Sequence, residues 1–207
     1  MKLISNNCAA AYYYKLKNLR YNHPFMWSLM DASEFIEFIK EYDNIHCDNC
    51  KLFEMKRNIF KNFVEIDRKI ANKRKICGLR IDNRFNVYYT HFLYEKTKKE
   101  PINVGPDKFY YKNGEYVLSF YKKYCNLNDE QPIFLVIGYE HNNWTVQKIR
   151  ELANLKSKYK IIMISKWNPP SADSNKLIIV DDLKTGFPNP GKVVEKYITE
   201  IDEFIKG

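Results

Sequence analysis

The run Pro132-Ile133-Phe134-Leu135-Val136-Ile137-Gly138 is apolar almost throughout. A strand with no polar alternate positions must be covered on both faces. A helical pattern over 145–155 follows it, and then a second apolar run, Lys160-Ile161-Ile162-Met163-Ile164-Ser165. Two buried strands joined through a helix make the unit of a parallel sheet, because parallel neighbours need a crossover lying on one face. A third run, Lys176-Leu177-Ile178-Ile179-Val180, extends the series, and a closing helix is expected over 192–205. The expected fold class is therefore α/β: a three-layer α/β/α sandwich with a mainly parallel sheet, in a single domain spanning 1–207.

The same alternation starts the chain. Leu3-Ile4 runs into Ser5-Asn6-Asn7-Cys8 and then into Ala and Tyr at helical spacing. This reads as a strand, a tight turn and a helix reaching residue 17. A helix over 34–42 follows, capped by Asp31 or Ser33, with Phe35, Ile36, Phe38 and Ile39 as its apolar stripe. The basic stretch 51–75 suggests helical or irregular cover. Strands are expected over 76–82 and 86–92, as an antiparallel edge, then a loop over 101–113 and a helix over 115–124.

A net charge of +9 points to anionic partners and is compatible with peripheral contact at an anionic membrane face. No nucleic-acid partner is expected, since the denser basic runs at 69–75 and 96–99 match no helix-turn-helix, zinc-finger or ribonucleoprotein signature. Seven scattered glycines provide no phosphate-cradling loop, which argues against a P-loop enzyme. The chain shows no span-length apolar run and no secretory order at its start, so a cytoplasmic location is expected. Five cysteines, an odd number, are expected as reduced thiols.

Two patterns raise the question of a metal. His46-Cys47-Asp48-Asn49-Cys50 offers two thiols at gripping distance, but no second pair completes four ligands. Asp181-Asp182 closes a strand, yet neighbouring residues on a strand point to opposite sides. No metal site and no cofactor are expected.

The chemistry-bearing candidates collect at strand ends. Ser5 and Cys8, at the carboxyl end of the first strand, are candidate nucleophiles. His91 is the candidate general base and Asp82 its orienting partner, although a histidine on an aromatic-rich strand is also a common packing residue. Asn6, Asn7 and Asn22 offer amides to hold an oxyanion or a sugar hydroxyl. Tyr21, Asn22 and Phe25, with Trp27, offer the aromatic and amide surface that sugars stack on and bond to. Direct glycosyl transfer is the competing chemistry, with Asp82, Asp181 or Asp182 as base or metal ligand.

Ile4-Ser5-Asn6-Asn7-Cys8, Tyr21-Asn22-His23-Pro24-Phe25 and Gly78-Leu79-Arg80-Ile81-Asp82 followed by His91-Phe92 together resemble a bacterial family of unknown function, labelled exopolysaccharide biosynthesis protein. Its marks are a Ser-Asn-Asn-Cys start and a Tyr-Asn-x-Pro-Phe segment, and the likeness covers about residues 3–166. Ala9-Ala10-Ala11 stand here where the family has aromatic and glycine residues, and the later acidic turn is Gly138-Tyr139-Glu140-His141-Asn142-Asn143. The resemblance implies an α/β/α fold and a place in exopolysaccharide or capsule biosynthesis. The expected function is that of a transferase or hydrolase acting on a sugar or its acyl substituent, with a sugar-containing small molecule or lipid-linked glycan as partner. The alternative is a non-catalytic glycan-binding or assembly module of the same pathway.

Overall fold

The computed structural model describes residues 1–21, 23, 25, 28–45, 49–54, 76–93, 102–103, 108–109, 118–119, 121–123, 131–139, 143–171, 173–181 and 189–207. The elements in chain order are β1 (Lys2–Ser5), α1 (Ala9–Leu16), α2 (Ala32–Lys40), a 3-10 turn (Tyr42–Asn44), β2 (Cys50–Glu54), β3 (Ile76–Ile81), β4 (Phe85–Leu93), β5 (Ile102–Asn103) and β6 (Lys108–Phe109). They continue with β7 (Pro132–Gly138), α3 (Val146–Asn154), β8 (Lys160–Ser165), β9 (Lys176–Val180), α4 (Pro190–Lys196) and α5 (Ile198–Lys206).

The sheet at the centre runs β1-β7-β8-β9, every pair parallel. Its side chains alternate between two apolar layers, as the pleat requires. Leu3, Ile133, Leu135, Ile137, Ile162 and Ile164 face the side built by α1, α4 and α5. Ile4, Phe134, Val136, Ile161 and Met163 face the other side, where Phe35 and Phe38 of α2 and Ile149 and Leu152 of α3 close over them. This is the expected mixed α/β arrangement, with helices on both faces of a mainly parallel sheet. Close approach is built in at Gly138, where an added Cβ would collide with Ile149 Cδ1 on the crossover helix.

Four local expectations are revised. The antiparallel strands form their own three-stranded sheet, β2-β3-β4, rather than an edge of the parallel one. The start of the stretch expected as cover, 51–54, belongs to the strand Cys50–Glu54, because Lys51-Leu52-Phe53-Glu54 pairs along Arg80-Leu79-Gly78-Cys77. Within the expected loop over 101–113, Ile102–Asn103 and Lys108–Phe109 pair antiparallel. The closing helix is two helices, broken at Tyr197, whose backbone leaves helical angles at φ −113° and ψ 22°. Residues 55–75 lie outside the described residues.

The antiparallel sheet is tied to the start of the chain. Leu29 and Tyr88 exchange backbone hydrogen bonds of 2.8 and 2.9 Å, and Met30 N–H donates to the Asn6 carbonyl at 3.0 Å. One continuous path thus links the β1–α1 turn to β4. No described helix is long and apolar enough to cross a membrane.

Candidate functional site at the carboxyl end of the parallel sheet

The turn from Ser5 to Cys8 is where expected, between the end of β1 and the first turn of α1. Three of its side chains are turned inward: Ser5, Asn6 and Asn7 are 1%, 0% and 3% exposed. Asn6 continues the parallel ladder with its side chain, accepting from Ile137 N–H at 3.0 Å and donating to the Ile137 carbonyl at 3.2 Å. Ser5 Oγ donates to the Asn7 carbonyl and accepts from Ala10 N–H at 2.9 Å. Asn7 Oδ1 accepts from Ala9 N–H at 2.9 Å. Ser5 and Asn7 thereby satisfy two of the amide donors that a helix start leaves open.

Cys8 is the N-cap residue and is half-buried, the most exposed member of the turn. It is not in a disulfide. With its hydroxyl bonded on both sides and closed to solvent, Ser5 has a structural place in the turn, and of the two candidates Cys8 is the more accessible.

A second group of polar side chains, near the first turn, was not singled out for chemistry in the sequence. Met30 bonds to Asn6, which brings the start of α2 beside the first turn. Asp31 caps α2 by accepting from Ser33 N–H at 2.9 Å, and its other oxygen accepts from Asn143 Nδ2 in the β7–α3 connection. Glu34, one turn into α2, accepts from Asn86 Nδ2 on β4 through Oε1 at 2.6 Å. Asn86 is itself oriented by Arg80 Nε at 3.0 Å. Glu34 Oε2 is buried and has no hydrogen-bond partner among the described residues.

Burial pushes the Glu34 carboxyl above its ordinary range, with Asp31 adding to the shift and the Asn86 bond opposing it. Burial, with Glu34 and Asp31 nearby, likewise pushes the Tyr88 phenol up to about 12. A carboxyl whose pKa is raised by burial and which keeps one oxygen unpartnered has the character of a proton-transfer group. The signal in sequence was there only as capping: Asp31 followed three residues later by Glu34 is a helix-start pattern. That β4 meets it is a tertiary fact.

The remaining candidates separate. Asp82 sits at the tip of the β3–β4 hairpin, with Asp82 and Asn83 at φ 51° and 55° and Arg84 N–H donating to the Ile81 carbonyl at 3.0 Å. Its carboxylate is taken by Arg84 at 2.6 Å. Position 91 lies far along β4 from that tip, and six residues from Phe85 span about 20 Å at strand rise. The expected Asp82–His91 couple is therefore not formed, because hydrogen-bond reach is far shorter.

Phe25 is 1% exposed and packs edge-on against Phe38 and Tyr121, with centroids at 5.1 and 6.3 Å. It is a core residue in this structure rather than a surface for sugar. Tyr21 is half-buried, tilted against Tyr14 at 6.1 Å. Between them, His23 is 0% exposed, with Nδ1 accepting from Phe25 N–H at 3.2 Å. Burial pushes its pKa down to about 3, the Leu3 backbone opposing and Lys2 reinforcing the shift.

Asp181 closes β9 with a carboxylate fully enclosed by donors. Tyr139 Oη bonds to it at 2.7 Å, Lys196 Nζ at 2.7 Å and Tyr197 Oη at 2.9 Å. Burial alone would raise its pKa, but these donors outweigh it and hold the group below the ordinary carboxylate range. It is a strap between β7, β9 and α4 rather than an open ligand. Asn22, Trp27, His46, Cys47 and Asp182 lie outside the described residues. Cys50 opens β2 opposite Ile81.

No family model matches this chain, and no curated protein matches it.

Proposed function

We propose that the protein is an enzyme of surface-glycan biosynthesis, a transferase or hydrolase acting on a sugar or its acyl substituent at the carboxyl end of the parallel sheet. The observation that carries the reading is the pairing of these two sets of side chains through the Met30–Asn6 hydrogen bond. One set presents Cys8 at a helix N-terminus, and the other presents Glu34 with a raised pKa and an open, buried oxygen. A nucleophile and a proton-transfer group at the strand ends of an open α/β sheet are the parts that group transfer needs. The sugar partner rests on the resemblance of the first turn and the 21–25 segment to the exopolysaccharide family, and the net charge of +9 suits nucleotide sugars or lipid-linked glycans.

The alternative, a non-catalytic glycan-binding module, depends on aromatic faces. Phe25 is withdrawn into the core, which weakens that reading. The test is incubation with nucleotide-activated sugars, O-acetylated oligosaccharides and lipid-linked sugars, followed by mass spectrometry of the products. Turnover by the wild type, reduced about a hundredfold in Glu34→Gln, is expected. Binding of one of these compounds without any turnover would contradict the enzyme and favour the module.

A further inference from the structure

The first turn leaves one polar group open. Ser5, Asn6 and the Asn7 carbonyl and Oδ1 are all hydrogen-bonded, whereas Asn7 Nδ2 is buried with no partner among the described residues. Its orientation is fixed: flipping the amide would set Nδ2 against Ala9 N–H and lose the 2.9 Å bond that Oδ1 accepts. An amide donor buried without an acceptor costs about 1–3 kcal/mol, so the group calls for an acceptor other than the protein's own described atoms. The donor lies at the N-terminal opening of α1, whose dipole favours negative charge. The next residue in the chain is Cys8, the half-buried thiol of the same turn.

We infer that Asn7 Nδ2 is the oxyanion donor for acyl transfer through Cys8, which makes the substrate class an O-acyl or S-acyl donor. The inference rests on the proposed reading of this end of the sheet as a group-transfer site, and narrows it to acyl chemistry. The Cys8 thiolate attacks the carbonyl carbon, forming a C–S bond, and the π pair of the carbonyl moves onto its oxygen. That oxygen is the acceptor Asn7 Nδ2 lacks. On collapse the bond from carbon to the leaving oxygen or sulfur breaks, and the leaving group takes up the proton the thiol gave to solvent. The acyl group then rests on Cys8 as a thioester until an acceptor hydroxyl or water takes it and restores the thiol. No oxidant or reductant is required.

The test compares two reactions at one thiol. Iodoacetamide reports thiolate and access alone, whereas p-nitrophenyl acetate needs an oxyanion donor as well. Peptide mapping gives the ratio of acetylation to alkylation rates at Cys8 and, as an internal reference, at Cys50. The expected ratio at Cys8 exceeds that at Cys50 by about a hundredfold, the usual worth of one oxyanion donor. Asn7→Asp, which keeps the acceptor for Ala9 N–H, should lower the Cys8 ratio about a hundredfold. Equal ratios at Cys8 and Cys50 in the wild type would overturn the inference without any variant, and so would an unchanged ratio in Asn7→Asp. Nucleotide sugars and lipid-linked sugars added as protectants against iodoacetamide separate the two levels. Protection of Cys8 by one of them without Asn7-dependent acetylation would sink the acyl mechanism and leave the glycan reading. Asn7-dependent acetylation with no protection by any sugar compound would sink the glycan reading and leave the mechanism.

Discussion

Asn6 serves Ile137 as a strand would: its amide accepts that residue's N–H at 3.0 Å and donates to its carbonyl at 3.2 Å. The ladder between β1 and β7 ends in backbone pairing at Ser5 and Leu135. The Asn6 side chain carries the pairing one step further, just where the chain must leave the sheet and enter α1. The turn that holds Cys8 is thus anchored to the central strand by a group that is 0% exposed.

Asn6→Ala removes both bonds and leaves a buried N–H and a buried carbonyl of Ile137 without partners. The expected cost is about 2–4 kcal/mol, and at this chain length each kcal/mol lowers Tm by about 2–4 °C. Calorimetry should therefore record a fall of about 5–15 °C. A fall under about 2 °C would show that water reaches Ile137 and that the anchor is weak.

Buried His23 sets the acid limb of stability. Its folded pKa, about 3, lies below the ordinary value of 6.5. Its contribution is therefore complete above pH 6.5 and is lost as pH falls towards 3, because the unfolded chain takes up the proton first. Between pH 6.5 and 5 the expected loss is about 2 kcal/mol. Urea titrations of His23→Phe, which keeps an aromatic ring against Tyr14, should show that slope removed. A slope retained in the variant would place the titrating group elsewhere.

Asp181 acts lower on the pH scale. Its pKa is held below the ordinary 3.8 by Lys196, Tyr139 and Tyr197 against the opposing effect of burial. The stability it supplies is present above about pH 4 and is lost as pH drops through the folded value. Asp181→Ala leaves the Tyr139 hydroxyl, now bonded at 2.7 Å, without its acceptor, and should cost about 3 kcal/mol at pH 7 by chemical denaturation. Tyr139→Phe, which removes a single donor, should cost about 1 kcal/mol. A larger loss for Tyr139→Phe than for Asp181→Ala would contradict the strap.

Glu34 is expected to reveal itself in a pH profile. With Oε1 bonded to Asn86 and burial raising its pKa, the limb of the rate profile governed by this carboxyl should lie above the ordinary range. Asn86→Leu removes a bond that favours the ionised form, so the limb should move further up in pH, while Glu34→Gln abolishes it. A limb that stays in place in Asn86→Leu would assign it to another group.

The parallel sheet was legible because a strand covered on both faces has no polar positions to confuse it, as at Pro132–Gly138. The turn at Ser5 to Cys8 was legible for a local reason, an apolar run meeting small polar residues before a helix. What those polar residues do was not. Ser5 and Cys8 look equivalent as nucleophiles in sequence, and only the fold turns the Ser5 hydroxyl inward to Asn7 and Ala10. Asp82 and His91 looked like partners because each stands at the end of an expected strand, yet the nine positions between them span most of the hairpin. Glu34 owes its raised pKa to burial, and its Oε1 meets Asn86 more than fifty positions away; no local pattern encodes either. The last helix breaks at Tyr197, whose hydroxyl bonds Asp181, a tertiary contact that the continuous helical pattern of the segment does not encode.

The most direct test of the account is where ligands land. Backbone amide shifts, recorded during titration with nucleotide sugars, O-acetylated oligosaccharides and p-nitrophenyl acetate, would map the contact. The account predicts changes centred on Asn7, Cys8, Asp31 and Asn143, all at one end of the sheet, and their loss once Cys8 is alkylated. Saturable changes confined to the opposite end, around Ser171 and Lys176, with the Asn7 and Cys8 amides unmoved, would contradict it.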